Sequence, residues 1–454
     1  MKIVLVGAGR IGSAIVANLV EEEHNITVID KSQAAIDEIT DSYDIICLNG
    51  NGADIDALKE AGAGSCRLFI ACTHHDDTNM LACLLAKRLG AEHTIARIRN
   101  PENNDDGLSY ICRQLDISEA INPESLAATD IFNILKFPSA ENIETFSGRF
   151  ELIELVLHED SKIVGVSLAD LRKNTGASFL ITAIQREGIT FIPRGGFELH
   201  VGDRIALTAA PKEMHKLLKK IGSLRRSAKN VMIIGAGITT LYLTKKLLDS
   251  GIGVKVIDPS REKCEEFVTM LNDPAATVIC GDCASQSVLL EEGISDADAF
   301  VALTNSDEQN ILISIFAMNL GVKKAVARVD RKELVQIAEK IGLDAIVSPN
   351  SSATNQIATY ARALKNSEGS GIEALYKVLD ETAEAIEFRV DKELPFIGVP
   401  LKEMKLKKNI LIAGIIREGV PLIPVGTDSI LFGDRVVVLS SGHKLGDLRD
   451  IAEE

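Results

Sequence analysis

A glycine-rich turn near the start of the chain has the residue types that bind the pyrophosphate of a dinucleotide. It reads Gly7-Ala8-Gly9-Arg10-Ile11-Gly12 and stands between an apolar run and a helix-length segment. The first glycine allows the tight bend, the second lets the pyrophosphate approach the backbone, and the third lets the helix pack closely on the strand. Amides at the helix start then face the anion. The turn predicts nucleotide binding; a turn that serves packing alone is the alternative.

An acidic residue follows at the spacing that the same motif requires. Asp30 ends the next apolar run, 23 residues after Gly7. A carboxylate at the end of this strand accepts hydrogen bonds from the ribose hydroxyls, and it repels a 2′-phosphate. The two signals together favour NAD(H) over NADP(H).

The chain then repeats the whole pattern. The turn at Gly235-Ala236-Gly237-Ile238-Thr239-Thr240 lies 228 residues after the first, and Asp258 lies the same distance after Asp30. Farther on, matching residues are 231 apart, as in the Arg-Glu-Gly tripeptides at 186–188 and 417–419. A repeat of this length is the size of a domain pair and far longer than a solenoid unit. A tandem duplication of a two-lobe module is therefore predicted.

The second copy departs from the nucleotide-binding pattern at two positions. Thr240 stands where the first copy has its third glycine, and Ile238 stands where it has Arg10. A threonine Cβ is expected to hold the helix farther from the strand, and isoleucine offers no guanidinium to a phosphate. Nucleotide binding by the second copy is left open, and the two sites are expected to be unequal.

Further candidates follow other strands, because the carboxyl ends of the strands in an open α/β sheet face the ligand. Arg97 and its counterpart Arg328 each suit a phosphate, and an ion pair with a neighbouring acid is the alternative for both. Neither a catalytic residue nor a metal ligand is predicted. The candidate nucleotide-binding residues are Gly7, Ala8, Gly9, Arg10, Ile11, Asp30, Asn51, Thr73, His74, Arg97, Gly235, Ala236, Gly237, Ile238, Thr239, Asp258, Thr304, Asn305 and Arg328.

The order of apolar runs predicts an α/β fold with two doubly wound Rossmann-like N-lobes, each followed by a small α+β C-lobe. Short β-branched runs alternate with helical segments, such as 78–89, as in a parallel sheet covered on both faces. The runs at 151–157 and 204–207, with a hairpin at 184–191, indicate an antiparallel C-lobe. The predicted domains are 1–123, 142–222, 228–349 and 369–452.

Composition excludes several classes of protein. The 454 residues carry 49 basic and 65 acidic side chains, a net charge of −16, without tryptophan or a basic cluster, so nucleic acid is not an expected partner. Apolar runs are too short to span a bilayer, and a signal peptide is not expected before the first strand. Eight scattered cysteines indicate reduced thiols and a cytoplasmic location, and Cys280-x-x-Cys283 is not expected to be a redox pair.

Together these residues resemble the RCK (regulator of K⁺ conductance, or KTN) family over essentially the whole chain. The tandem arrangement is similar to that of the peripheral subunits of bacterial and archaeal Trk potassium uptake systems. The motifs that carry the resemblance are Gly7 to Gly12, Asp30, Gly50 to Asp54, Thr73, Asn79, Ala96 to Arg99, and the Arg-Glu-Gly and Gly-Asp-Arg tripeptides of each C-lobe.

The resemblance implies a nucleotide-sensing regulatory subunit that is not an enzyme. It implies NAD(H), ATP or ADP as the ligand, with Arg10 toward a terminal phosphate. It also implies a ring of lobes from several chains, docked beneath a TrkH-like potassium-translocating membrane subunit and gating it by conformational change. The chain would then be peripheral to the inner face of the plasma membrane. The identity of the effector and the sign of regulation stay open, and a soluble NAD-dependent oxidoreductase is the alternative.

Overall fold

The computed structural model divides the chain into two compact units. The first unit comprises residues 1–136 and 228–358, and the second comprises 137–227 and 359–454. Two of the predicted domain boundaries, 222 and 369, lie outside the described residues, and the others remain predictions. The structure describes residues 1–99, 105–146, 150–175, 178–209, 213–214, 217–218, 228–343, 345–366, 371–379 and 382–453.

The first half of unit 1 is a six-stranded parallel sheet in the order β3-β2-β1-β4-β5-β6. The order reverses between β1 and β4, and open α/β sheets bind ligands at such a switch point. The strands are β1 (Lys2–Val6), β2 (Asn25–Asp30), β3 (Ile46–Asn49), β4 (Leu68–Ala71), β5 (His93–Arg97) and β6 (Glu119–Ile121). The helices are α1 (Arg10–Glu21), α2 (Gln33–Ser42), α3 (Ile55–Glu60), α4 (Asp76–Leu89), α5 (Asp105–Gln114) and α6 (Pro123–Lys136).

The second half of unit 1 repeats this sheet in the order β14-β13-β12-β15-β16-β17. The strands are β12 (Asn230–Ile234), β13 (Gly253–Asp258), β14 (Ala276–Cys280), β15 (Ala299–Ala302), β16 (Lys324–Arg328) and β17 (Ile346–Val347). The helices are α8 (Ile238–Asp249), α9 (Arg261–Leu271), α10 (Gln286–Glu291), α11 (Asp307–Asn319), α12 (Lys332–Lys340) and α13 (Pro349–Asn366).

Each half of unit 1 has a helix that packs against the other half. Helix α6 follows the first sheet, but its buried residues Ala127 and Ile131 pack with Leu241 of α8 in the core of the second half. In return, Ala353 and Ile357 of α13 line a small apolar cavity beside the first sheet. This exchange brings the starts of α6 and α13 to the first half's crevice, where both are needed below.

Unit 2 holds two antiparallel sheets in the orders β10-β9-β11-β8-β7 and β18-β19-β22-β20-β21. The predicted fold class, with parallel N-lobes and smaller C-lobes, is confirmed. In the first sheet the strands are β7 (Asn142–Phe146), β8 (Phe150–Val156), β9 (Phe179–Arg186), β10 (Ile189–Phe191) and β11 (Arg204–Ala209), with α7 at Leu168–Thr175. In the second they are β18 (Ile372–Val378), β19 (Ala383–Arg389), β20 (Ile410–Arg417), β21 (Val420–Leu422) and β22 (Arg435–Ser440).

Two local details differ from or extend the sequence analysis. The helix predicted from residue 78 begins at Asp76, because the chain already turns at His75. The predicted hairpin is present: Glu187 and Gly188 join β9 to β10 with φ of 51° and 77°. Positive φ at both central residues is the type I′ geometry that matches strand twist. Among the described residues, every helix is too short or too polar to span a bilayer.

An ion pair explains the Arg-Glu-Gly and Gly-Asp-Arg tripeptides. The Arg186 guanidinium donates to both oxygens of the fully buried Asp203, at 2.7 and 2.8 Å, and Asp203 also accepts from the amide of His200. Burial alone would raise the pKa of Asp203, but these donors hold it below its ordinary value. Arg417 and Asp434 make the same pair in the second C-lobe.

We predict that Asp203→Asn destabilises unit 2 by about 1–3 kcal/mol near neutral pH, because the variant loses a charge-assisted pair. The pKa of Asp203 is lowered, so its contribution is full above the ordinary aspartate value and is lost as the pH falls through the folded-state value. Urea unfolding of both proteins at falling pH should show their difference shrink in acid. A constant difference at every pH would contradict the assignment.

Candidate nucleotide-binding site

The three glycines of the first turn lie in different surroundings, and the chain itself requires glycine at two of them. Gly7 has φ +104°, and a Cβ there would lie 3.0 Å from the carbonyl carbon of Cys72. At Gly12 a Cβ would lie 1.9 Å from the carbonyl oxygen of Gly7, so only glycine lets α1 pack this closely. At Gly9 the nearest atom is Nε2 of His74, 3.8 Å away. Of the three, Gly9 alone faces open space.

Asp30 has a structural role that the sequence analysis did not foresee. One carboxylate oxygen accepts from the amide of Ala8 at 2.6 Å, and the other accepts from the amide of Ser32 at 2.7 Å. The carboxylate therefore ties the end of β2 to the glycine turn. A carboxylate has about four acceptor positions, so two remain for a ligand. Because of these bonds, a substitution of Asp30 would disturb the turn as well as any ligand contact.

A buried asparagine joins the ends of β4 and β5. Asn79 is fully buried; its oxygen accepts from the amide and the hydroxyl of Thr73, and its amide donates to the carbonyl oxygens of Thr73 and Arg97. Asn310 makes the same four bonds with Thr304 and Arg328. The sequence signal for this role was the repeat of Asn79 at Asn310, which marked the position but not its function.

Arg97 is a buried cation whose ion pair with Glu124 is long. It is 9% exposed, its Nη1 lies 3.4 Å from the carbonyl oxygen of Thr73, and its Nη2 lies 3.8 Å from Glu124 Oε1. Its Nε and the Oε2 of Glu124 are buried without a hydrogen-bond partner. Burial lowers the pKa of Arg97, although an arginine remains charged at neutral pH. An anion beside this guanidinium would relieve the cost of burying it.

These residues surround a cavity of about 700 Å³ at the switch point of the first sheet, a volume typical of small-molecule sites. Ala8 does not line it, but its amide bond to Asp30 holds the wall in place. The predicted residues that line the cavity are Gly7, Gly9, Arg10, Ile11, Asp30, Asn51, Thr73, His74 and Arg97.

The second half of unit 1 completes one wall of this cavity. Arg328, Asp330, Pro349 and Asn350 all line it. Arg328, at the end of β16, was predicted to line the crevice of its own copy; the structure places it in the wall of the first cavity. Its guanidinium donates to Asp330 at 2.8 and 3.0 Å, the ion pair that was the alternative interpretation.

The cavity has the charge that an anionic ligand requires. Among its lining side chains, five are cationic and three are acidic, in a chain whose net charge is −16. Lys31, Arg99 and Glu124 were not predicted, because none belongs to the glycine motif or repeats in the second copy. The cationic residues are Arg10, Lys31, Arg97, Arg99 and Arg328, and the acidic ones are Asp30, Glu124 and Asp330.

The second glycine turn keeps the fold of the first but not its cavity. Asp258 accepts from the amides of Ala236 and Ser260, as Asp30 does from its own turn, but it is only 6% exposed. Thr240 is fully buried, and its hydroxyl donates to the carbonyl oxygen of Gly235. Neither the large cavity nor the two small ones found among the described residues is lined by Gly235, Ala236, Gly237, Ile238, Thr239, Asp258, Thr304 or Asn305.

The chemistry of the cavity is that of binding. Burial raises the pKa of Cys72, which lies beneath the glycine turn, to about 12, so its thiol stays protonated at neutral pH and is no nucleophile. Within the described ranges, no three His, Cys, Asp or Glu side chains are grouped to hold a metal ion. An open Gly9, helix amides, the Asp30 carboxylate and the buried guanidinium of Arg97, whose Nε has no hydrogen-bond partner, fit a nucleotide.

The architecture defines a class of protein: two Rossmann-like and two antiparallel lobes in tandem, the arrangement of RCK domains. The model of the TrkA-N domain matches residues 3–123 and 231–349, and that of the TrkA-C domain matches 152–222 and 385–452. The chain belongs to the family of tandem TrkA-N and TrkA-C proteins.

Relatives and solved structures agree with this family. The chain is 32% identical to a Trk system potassium uptake protein TrkA homolog of Archaeoglobus fulgidus, over 99% of this chain and 100% of that protein. It is 28% identical to TrkA of Vibrio alginolyticus, over 98% and 94%. The fold is similar to that of the GsuK channel, with a TM-score of 0.63 and 18% identity over 98% of this chain and 77% of that one. It is also similar to that of the GsuK channel bound to NAD, with a TM-score of 0.62 and 18% identity over 97% of this chain and 77% of that one.

We predict that Gly12→Ala destabilises unit 1 by about 1–3 kcal/mol, because the added methyl group must displace α1 from the carbonyl oxygen of Gly7. Gly237→Ala is the matched control, since its Cβ would meet nothing within 4 Å. Thermal unfolding of the two variants and the parent protein tests this. Equal stability of all three would show that α1 does not need the close contact.

Proposed function

We propose that the chain is the nucleotide-sensing regulatory subunit of a potassium uptake system. Its full-length relatives are named Trk system potassium uptake proteins. The observation that carries the proposal is the cationic cavity at the first glycine turn, where Arg97 is buried in a long ion pair with Glu124 and its Nε has no hydrogen-bond partner. A protein with this cavity and these relatives has the means to read the cell's nucleotide state.

The ligand that we propose is NAD(H), with ATP or ADP as the alternative adenine nucleotides. The similar GsuK channel has been solved bound to NAD and, at 15% identity, GsuK bound to ADP. The free acceptor positions of Asp30 would bind the ribose, and the start of α1 together with Arg10 and Arg97 would bind phosphates. Lys31 beside Asp30 weakens the repulsion of a 2′-phosphate, so the preference against NADP(H) is smaller than the sequence alone indicates.

We propose further that the first copy supplies the main site. Arg10 is exposed at the first cavity, whereas the matching Ile238 does not line it and Asp258 is buried. The second copy contributes instead through Arg328 and Asn350 in the wall of the first cavity. A ligand in that cavity contacts both halves of unit 1, so it can favour one arrangement of the halves over another.

Regulation then follows from differential affinity. A nucleotide shifts the population of two arrangements only if it binds one more tightly, and a free-energy difference of about 1.4 kcal/mol changes their ratio tenfold. We propose that the favoured arrangement opens or closes a TrkH-like potassium-translocating membrane subunit. The net charge of −16 suits docking on the positively charged cytoplasmic loops of such a partner. The chain would lie against the inner face of the membrane through that contact.

Matching apolar residues support assembly with further copies of the chain. Leu81 on α4 and Leu312 on α11 are 46% and 67% exposed at equivalent positions. Tyr110 on α5 and Ile341 after α12 are also equivalent, at 59% and 51%. Exposed apolar side chains that repeat on the same helices of both copies mark a contact surface used twice, as a ring of lobes requires.

A soluble NAD-dependent oxidoreductase is the second candidate, because the glycine turn alone suits either function. Hydride transfer needs an acid or base beside the nicotinamide, and His74, His75 and Lys31 are lining side chains of that kind. The names of the relatives, which are potassium uptake proteins, favour the first candidate. Steady-state oxidation of NADH with a panel of oxo-acids separates the two, since robust turnover would support the enzyme.

We predict that Gly9→Ala weakens nucleotide binding at least about tenfold, or about 1.4 kcal/mol, and leaves the fold unchanged. The added methyl group points toward His74, which lines the cavity, and the φ of −71° at Gly9 accommodates alanine. Gly237→Ala makes the same change in the second turn and should bind as the parent does. Calorimetric titration with NADH and with ATP gives the three affinities. Equal weakening by both variants would contradict a main site in the first copy.

We predict that Leu81→Asp together with Leu312→Asp reduces the oligomeric state, because each replaces an exposed apolar contact by a charge. Val268→Asp is the control: Val268 is 53% exposed on α9, but its counterpart in the first copy is Thr40, so it does not repeat. Light scattering after size exclusion measures the mass of each. An unchanged mass for the double variant would exclude α4 and α11 from the assembly surface.

A further inference from the structure

The second half of unit 1 has three cysteines at the corner where the first half binds the ribose in our proposal. Cys280 ends β14 and Cys283 follows in the next loop, where the first copy has Asn49 and Gly52. Cys264 lies in the first turn of α9, at the position of Ile36. The first copy therefore has no thiol at any of these three positions. The proposed nucleotide site makes no use of them.

Cys283 is not available for chemistry with Cys280, despite the spacing of the two in the sequence. It is 1% exposed, and its thiol donates to the carbonyl oxygen of Ile257 at 3.2 Å. Burial raises its pKa to about 12. Of the two thiols in the Cys-x-x-Cys sequence, that of Cys280 is exposed to solvent and that of Cys283 is buried.

Cys264 is the thiol that lies beside Cys280. Its sulfur is 3.7 Å from the carbonyl oxygen of Ile279, the peptide oxygen that immediately precedes Cys280. The sulfur of Cys280 is 3.7 Å from the carbonyl oxygen of Pro259, at the turn that leads into α9. Burial, then the charge of Asp258, then the contact with Cys280 raise the pKa of Cys264. Each thiol therefore contacts the backbone beside the other one, at the ends of β13 and β14.

Their exposures differ in the way that thiol–disulfide exchange requires. Cys280 is exposed and can react with a small molecule, whereas Cys264 is 7% exposed and is largely shielded from one. A dithiol with one accessible and one sheltered sulfur reacts in a fixed order, because the accessible thiol attacks first and the sheltered one resolves the product.

We propose that Cys264 and Cys280 form a reversible disulfide when the chain meets a low-molecular-weight disulfide. The Cys280 thiolate attacks one sulfur of that molecule, and the first small thiolate leaves and takes up a proton. The Cys264 thiolate then attacks the Cys280 sulfur, and the second small thiolate leaves likewise. Two protein thiols are oxidised and one small disulfide is reduced to two thiols, so electrons and protons balance.

The disulfide replaces a brace that the first copy makes with a hydrogen bond. There the side-chain amide of Asn49, at the end of β3, donates to the side-chain oxygen of Gln33, at the start of α2, at 3.0 Å. Cys280 is the counterpart of Asn49, and Cys264 lies one turn into the counterpart of α2. Oxidation would join the third strand to its neighbouring helix covalently and close a short loop, which restricts the unfolded chain.

Oxidised glutathione is a suitable probe for the full-length chain. The reduced protein is incubated with it, free thiols are alkylated, and the unreduced digest is analysed by mass spectrometry. We expect a peptide pair joined through Cys264 and Cys280, its complete loss on later reduction, and a rise in Tm while it is present. Cys47→Ser, which removes a half-buried thiol of the first copy, should retain the pair.

Two variants separate the steps. Cys264→Ala should stop at a mixed disulfide of glutathione on Cys280, and Cys280→Ser should leave Cys264 unmodified. The proposal is overturned if the parent protein itself accumulates the mixed disulfide on Cys280 while Cys264 stays free for alkylation. A disulfide between two chains, seen as a dimer on an unreduced gel, would also overturn it. Both of these contradicting results are observed in the parent protein, so they can be obtained even if a variant fails to fold.

Discussion

Each Rossmann half depends on a carboxylate that holds the glycine turn by two backbone amides. Asp30 accepts from Ala8 and Ser32, and Asp258 accepts from Ala236 and Ser260. The bonds fix the first turn of the following helix against the strand beside it. Everything that a ligand would meet, from the open face at Gly9 to the amides of α1, is placed by this contact. Its presence in both copies means that the acid alone does not diagnose a ligand site.

The two copies differ in the residues that surround this carboxylate and its glycine turn. In the first, Asp30 is half-buried at a cationic cavity; in the second, Asp258 is buried and Thr240 fills the space beside the turn. The second copy takes part in the first cavity, because Arg328 at the end of β16 and Asn350 at the start of α13 line its wall. The duplication thus produces one composite site, with the second copy as a structural partner of the first.

The sequence predicted the fold well because its signals are local. Alternating apolar runs, the glycine turns and the repeat offset each depend on neighbours in the chain. The position of Arg328 could not be predicted, since it depends on the packing of two halves far apart in sequence. The hydrogen bonds of Asn79 to Thr73 and Arg97, and the role of Glu124 as the counter-ion of Arg97, were not predicted for the same reason. The start of α4 was misplaced by two residues because His75, a weak capping residue, ends the preceding loop.

The stoichiometry of bound nucleotide tests the composite site most directly. Equilibrium dialysis of the full chain with labelled NADH, carried to saturation, counts the ligands bound to each chain. A single cavity shared by the two copies predicts one nucleotide per chain with one affinity. Two nucleotides per chain with similar affinities would contradict it, since the second turn would then bind a ligand of its own.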